Sequence, residues 1–178
     1  MGWTEPRTWV DSEIVTAVLL NAHLRDNLLE IGPHVRVVKA ADESISSSST
    51  PQGDDHLFFQ VGANETWIVL IWLAWVDGGR GMSLTFAGPS GSTIKFGLPV
   101  VWNGSTPPVF SIPAWATAPA VISLGRQLDV NCSSIVYASV LSGSTGGQVT
   151  FQWAQSAPAG AGATVVKAGS FLLAHRVG

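Results

Sequence analysis

Beyond Pro33 the sequence breaks into short apolar runs divided by clusters of Gly, Pro, Ser and Asn, and this punctuation constrains the fold more than any other feature. It predicts strands near 34–40, 56–61, 66–76, 82–87, 93–98, 108–112, 119–124, 128–141, 148–155 and 164–176. Several runs show the period of two that a half-buried strand requires. Leu57, Phe59 and Val61 oppose Phe58 and Gln60; Met82, Leu84 and Phe86 oppose Ser83 and Thr85; Val149, Phe151 and Trp153 oppose Thr150, Gln152 and Ala154. The run 66–76 is apolar on both faces, which predicts cover on both sides, from a second sheet on one and from a neighbouring subunit or the N-terminal segment on the other. It is the expected interface strand, with Trp67, Val69, Ile71, Trp72, Leu73 and Trp75 as subunit contacts. Between strands, 44–51 reads as a polar loop and 157–163 as a Gly/Ala/Pro connector.

The first 33 residues follow a different pattern. Residues 1–14 are irregular and aromatic, an arm without a core of its own. Thr16 is the expected N-cap of a helix over Ala17–Glu30, in which Leu20, Leu24, Leu28 and Ile31 form an apolar stripe and Gly32-Pro33 supplies the stop. Asn21, Arg25 and Asp26 fall on its polar face with His23 nearby, where His23 and Asp26 are spaced to pair, or to hydrogen-bond across a subunit boundary. The predicted organisation is a 1–33 attachment segment and a mainly β 34–178 domain: arm, helix, then a jelly-roll-like antiparallel β-sandwich that oligomerises.

Charge is scarce and unevenly placed. Residues 1–77 carry eleven acids and four bases, whereas 78–178 carry one acid, Asp129, and five bases. With six charges over its last 101 residues, the chain must surface itself largely with Ser, Thr, Gly, Gln, Asn and apolar groups, which suits burial between subunits. A net charge of −3 argues against nucleic acid as a partner. The longest apolar run, Trp67–Val76, is about half of what a spanning helix needs, so no membrane association is expected. The start, Met1-Gly2-Trp3-Thr4-Glu5-Pro6, has neither the basic nor the apolar region of a secretory signal, so the three Asn-x-Ser/Thr matches at Asn64, Asn103 and Asn131 are expected to go unused.

Residue types that carry chemistry are present without the spacing that chemistry needs. His23, His34, His56 and His175 are isolated from one another. Asp54-Asp55-His56 is the densest polar cluster, but consecutive strand residues point in alternating directions, so a solvated turn rather than a metal site is expected there. Gly88-Pro89-Ser90-Gly91-Ser92 lacks the last glycine of a nucleophile elbow, and the Gly-rich stretches at 78–81 and 143–147 lack the lysine and helix of a phosphate loop. Cys132 reads as a small buried filler rather than a nucleophile. No catalytic residue, cofactor or metal is expected. Trp102 and Trp115, next to Pro-rich loops, are the candidates for stacking on a glycan.

The opening Trp3-Thr4-x-Pro6-Arg7-Thr8-Trp9, with Glu13-x-Val15-Thr16-Ala17 and Leu20-Asn21-x-His23-x-Arg25-Asp26-Asn27-Leu28, resembles the N-terminus of small virion structural proteins of tailed bacteriophages. Gly62-Ala63-Asn64-Glu65-Thr66-Trp67 and Lys167-Ala168-Gly169-Ser170-Phe171-Leu172 with Arg176-Val177 resemble further segments of the same family. The resemblance implies a homotrimer of jelly-roll or tumour-necrosis-factor-like subunits, made in the host cytoplasm and attached to the virion by its N-terminal segment. It implies a non-enzymatic capsid decoration protein that docks on the major capsid protein through Trp3, Pro6, Arg7, Trp9, Asn21, His23, Arg25 and Asp26, on the head rather than the tail. The alternative is a minor tail or tail-fibre module that binds host surface glycans.

Overall fold

The computed structural model describes residues 4–28, 34–98, 101–102, 110–111, 115–124, 131–157 and 162–178. The chain divides into two compact units, 1–34 and 35–178.

The larger unit is built from β1 (His34–Val38), β2 (Glu43–Ile45), β3 (Gln52–Val61), β4 (Thr66–Val76), β5 (Met82–Ala87), β6 (Thr93–Gly97), β7 (Val101–Trp102) and β8 (Phe110–Ser111). It continues with β9 (Trp115–Thr117), β10 (Ile122–Leu124), β11 (Asn131–Leu141), β12 (Gly147–Gln155), β13 (Thr164–Val166) and β14 (Phe171–Arg176). One sheet runs β1-β14-β4-β11-β6-β9, with β13 joining β4 to β2; the other runs β10-β5-β12-β3, and β7 and β8 form a small ribbon. The pairs nest: β1 lies beside β14, β3 beside β12, β4 beside β11 and β5 beside β10. From β3 to β6, and again from β10 to β12, each successive strand crosses to the opposite sheet. This is the winding of a long hairpin rolled into two layers, a jelly roll, and the mainly β expectation holds.

The core lies between the layers and collects the period-two residues. Val69, Ile71 and Leu73 of β4 and Val136 and Val140 of β11 are fully buried and oppose Leu57, Met82, Leu84, Phe151 and Trp153 of the other sheet. Burying each such side chain contributes about 1.5–3 kcal/mol. Aromatic pairs knit the layers together, Phe59 with Trp67 at 5.4 Å and Phe86 with Phe96 at 5.3 Å between ring centroids, while Phe86 and Phe151, 5.6 Å apart, pair across neighbouring strands of one sheet. Strand β5 is buried on both faces, because the outward Thr85 Oγ1 donates to Ala120 O at 2.8 Å and Ser83 Oγ bonds to Ser123 Oγ at 3.0 Å.

Strands β7 and β9 stand where none is expected, and three further expectations change. The single strand over 164–176 is two, separated by a turn in which Gly169 has φ +87° and Ser170 N–H donates to Lys167 O. That left-handed position favours glycine, and the turn re-aims the chain so that β13 can pair with β2 while β14 continues along β4. The loop expected over 44–51 begins as strand, since Ser44 pairs with Val165 and Ile45 is buried. The third change concerns β3, which starts at Gln52. In its pairing with β12, Thr150 faces Phe58 and Gln152 faces Gly53, so Asp54–Leu57 bulge out opposite Phe151.

In the smaller unit Thr16 is the N-cap, its hydroxyl accepting from Leu19 N at 3.3 Å, but α1 (Ala17–Leu20) is α-helical for four residues only. Asn21–Asp26 is π-helical, and its wider turn rotates the following residues out of the expected stripe. Residues 29–33, including Ile31 and the Gly32-Pro33 stop, lie outside the described residues.

Candidate interaction surfaces

Strand β4 presents two faces with different fates. Trp67, Val69, Ile71, Leu73 and Trp75 point into the sandwich and are buried within a single chain. Five of the six side chains expected at a subunit contact are therefore core, because the strand's odd-numbered face meets β3, β5 and β12. Only Trp72 of that set lies on the outer face, half-buried and stacked on Phe171 at 5.7 Å with a 21° interplanar angle.

That outer face is apolar over three adjacent strands. Register places Ile135, Trp72 and Phe171 side by side, then Tyr137, Leu70 and Leu173, then Ser139, Ile68 and His175. Ile68 is 54% exposed, and Ile135, Tyr137, Leu141 and Leu173 are exposed as well. No single residue here is unusual for a soluble protein; the continuity of the patch is.

At one end of this face, Gly97 of β6 stands between Tyr137 of β11 and Trp115 of β9 in a single row. The absent side chain leaves a shallow cleft of about 400 Å³, lined by Lys95, Phe96, Gly97, Trp115, Tyr137, Ala138 and Ser139. Trp115 is 72% exposed, and the Lys95 ammonium lies 6.0 Å from its ring centroid. Trp102 stands opposite Phe110 in the β7–β8 ribbon, apart from Trp115 in the pairing pattern.

In the N-terminal unit the arm folds onto the helical segment. Arg7 lies 4.9 Å over the Trp9 ring and pairs with Glu13, and Trp9 meets the His23 ring edge-on at 6.2 Å. The expected pairing of His23 with Asp26 is replaced by these contacts, since Asp26 takes Arg25 Nε at 2.8 Å. Asn27, for which the sequence predicts no contact, ties the two pieces together. Its Oδ1 accepts from Thr4 N at 2.9 Å and its Nδ2 donates to Thr4 O at 2.8 Å. Pro6, Arg7, Trp9, Asn21, His23, Arg25 and Asp26 thus belong to one small body, while Trp3 lies outside the described residues. Ile14, Val15, Val18, Leu20, Leu24 and Leu28 are exposed, Leu28 to 67%.

The Asp54-Asp55-His56 cluster is not a solvated turn. Asp54 is 2% exposed, and its carboxylate accepts from Lys39 Nζ at 2.9 Å on both oxygens. Oδ1 also accepts the His56 and Leu57 N–H groups that the bulge frees, at 3.0 and 2.9 Å, and Oδ2 accepts Trp153 Nε1 at 3.2 Å. Lys39 is 1% exposed and also donates to Glu43 Oε2 at 2.7 Å. Nothing in the local sequence around Lys39 marks it as buried, and no residue of the adjoining β1 is itself buried. Among the described residues no group of three or more His, Cys, Asp or Glu side chains could hold a metal ion.

Two titrating groups bear on reactivity and stability. Burial, followed by the negative charge of Asp77, pushes the Cys132 thiol above its ordinary 9.0, the opposite of what a thiolate nucleophile needs. Burial raises the Glu65 carboxyl, but the Gly62 N–H, Arg176 and Trp67 Nε1 together outweigh it and hold the group below its ordinary 4.5.

No protein-family model matches the chain, and no curated protein matches it in sequence. Among solved structures it is similar to Eiger TNF from S. frugiperda, at 10% identity over 82% of this chain and 94% of that one, with a TM-score of 0.39. It is also similar to a structure of the infectious bursal disease virus Gx strain (11% identity, 81% of this chain, 37% of that chain, TM-score 0.24). A third likeness is to the VP2 subviral particle of the same virus (7% identity, 82% of this chain, 37% of that chain, TM-score 0.20). Likenesses this slight bear on no function. The jelly roll rests on the chain's own nested strand pairing.

Proposed function

We propose that the chain is a non-enzymatic virion structural protein, a homotrimeric decoration protein of a tailed-phage head. The observation that carries the reading is that each unit bears apolar surface of its own: the outer sheet face around Trp72, and in the N-terminal unit the exposed Val18, Leu24 and Leu28. Two such surfaces suit two kinds of contact. The sheet face meets copies of the chain, and the N-terminal unit, with Arg7, Trp9, Asn21, His23, Arg25 and Asp26, docks on the major capsid protein. A trimer that grips several capsid subunits at once gains multivalency and holds the closed shell by mass action.

Immunogold labelling of intact particles tests the location: label spread over the head supports decoration, and label confined to the tail tip overturns it. Light scattering tests the assembly. The expected mass is three subunits for the native chain and one for Ile68→Glu/Trp72→Glu, whose fold circular dichroism should find unchanged; a monodisperse native monomer at micromolar concentration would sink the trimer.

The cleft between Trp115 and Tyr137 favours a second reading, a tail module that binds host glycans. Strand spacing sets the two rings about 9–10 Å apart at their backbones, room for one sugar ring between aromatic faces. Glycan-array binding lost on Trp115→Ala would move the proposal to this reading.

A further inference from the structure

The buried cluster of Lys39, Glu43 and Asp54 has a composition that an ion pair alone does not require. One ammonium sits between two carboxylates at 2.7 and 2.9 Å, with side chains 0%, 10% and 0% exposed respectively. Burying charge is costly even when paired, and here the count leaves one carboxylate in excess. The same three groups are a complete set for amide formation: an amine nucleophile, a carboxyl electrophile and a second carboxylate within reach of the amine proton. The donors on Asp54 are those that acyl chemistry uses. The His56 and Leu57 N–H groups both point at Oδ1, where negative charge would develop on attack, and Trp153 Nε1 holds Oδ2. Fixing amine and carboxyl in contact supplies the effective concentration that two side chains in water lack.

We propose that Lys39 and Asp54 condense into an intramolecular amide, with Glu43 as the proton carrier. A proton passes from the Lys39 ammonium to Asp54 Oδ2, leaving a neutral amine and a neutral acid. The Nζ lone pair attacks Cγ and charge builds on Oδ1 against the two N–H groups. Nζ gives a second proton to Glu43, which returns it to the Oδ2 hydroxyl. The Cγ–Oδ2 bond breaks, water leaves, and the amide carbonyl re-forms at Oδ1. One ammonium and one carboxylate become one amide and one water, with no oxidant or cofactor, and Glu43 is regenerated. The bond removes both buried opposite charges and joins the end of β1 in one sheet to β3 in the other. A pull on the chain through the segment before β1 would then be borne by a covalent link between the two layers.

Intact mass of the denatured full-length protein tests this, read together with a tryptic map. The expected mass is lower than that of the sequence by one water, with no cleavage after Lys39 and a branched peptide that contains both Lys39 and Asp54. Glu43→Gln, purified folded, is expected to keep its full mass, and Lys39→Arg to do the same. A native chain at full sequence mass overturns the proposal, as does a one-water loss that maps elsewhere, such as a succinimide at Asp77-Gly78, with Lys39 still cleaved. Glu43→Gln that joins Lys39 to Asp54 as completely as the native chain overturns the role given to Glu43.

Discussion

The two units of this protein use apolar periodicity to opposite ends. In the sandwich nearly every inward position of β4, β5, β11 and β12 finds a partner in the facing layer, and Leu73, Leu84, Val136 and Phe151 reach zero exposure. In the N-terminal unit Leu20, Leu24 and Leu28 recur at helical spacing yet stay exposed, and the buried residue among those described is the polar Asn27. A pattern specifies which face is apolar, but burial needs a second layer, and one short helical segment with an arm does not supply it. The contrast marks apolar surface that the N-terminal unit leaves exposed.

The contrast can be broken most sharply by equal truncations on either side of it. Phe151→Ala in the core is expected to cost about 3–5 kcal/mol by chemical denaturation, whereas Leu24→Ala should stay within about 0.5 kcal/mol. Comparable losses would mean that the N-terminal unit buries Leu24 in solution. Next in size is Lys39→Ala, which leaves the buried Asp54 carboxylate with neither its cation nor an amide partner and should cost about 3 kcal/mol, against a near-neutral Lys95→Ala at the surface. Removing residues 1–33 should leave the denaturation midpoint of the sandwich almost unmoved while abolishing attachment to particles. A large fall in that midpoint would show that the two units stabilise one another.

The smallest expected effect is that of Glu65. Its carboxyl accepts from Gly62 N at 2.6 Å and Trp67 Nε1 at 2.9 Å and pairs with Arg176 at 2.9 Å, closing the turn between β3 and β4. Because folding lowers this pKa, the stabilisation is present above the ordinary value near 4.5 and is lost as pH falls through the folded value. Thermal melts should therefore show a decline below pH 4.5 that is shallower in Glu65→Gln, whose cost at neutral pH is about 1 kcal/mol.

Particular residues show how far the sequence could be read. Alternation alone puts Val149, Phe151 and Trp153 on one face, and all three are core. Thr16 was legible as a cap because its partner is three residues away. For 66–76 the strand was legible but its interface was not: an all-apolar run hides which face meets the second sheet, and five of its six expected contacts proved to be core. The π-helical turn at Asn21–Asp26 was not legible either, since it depends on hydrogen-bond choices that side-chain spacing does not report.

The sequence by itself determined the longer strands β4, β5, β11 and β12 and the change of period from helix to sheet near Pro33, because these follow from periods of two and of about 3.6, but not the short β2, β7 and β9 or the turn that divides β13 from β14. Tertiary structure alone decided which face of β4 is open, that β13 leaves β14 to meet β2, and that Lys39, Asp54 and Trp153 share one buried site. Trp153 lies 99 residues from Asp54, and no local preference of either residue encodes that meeting. Such contacts exist only once the nested pairing has closed the loops between the strands, and the closure is a property of the whole chain.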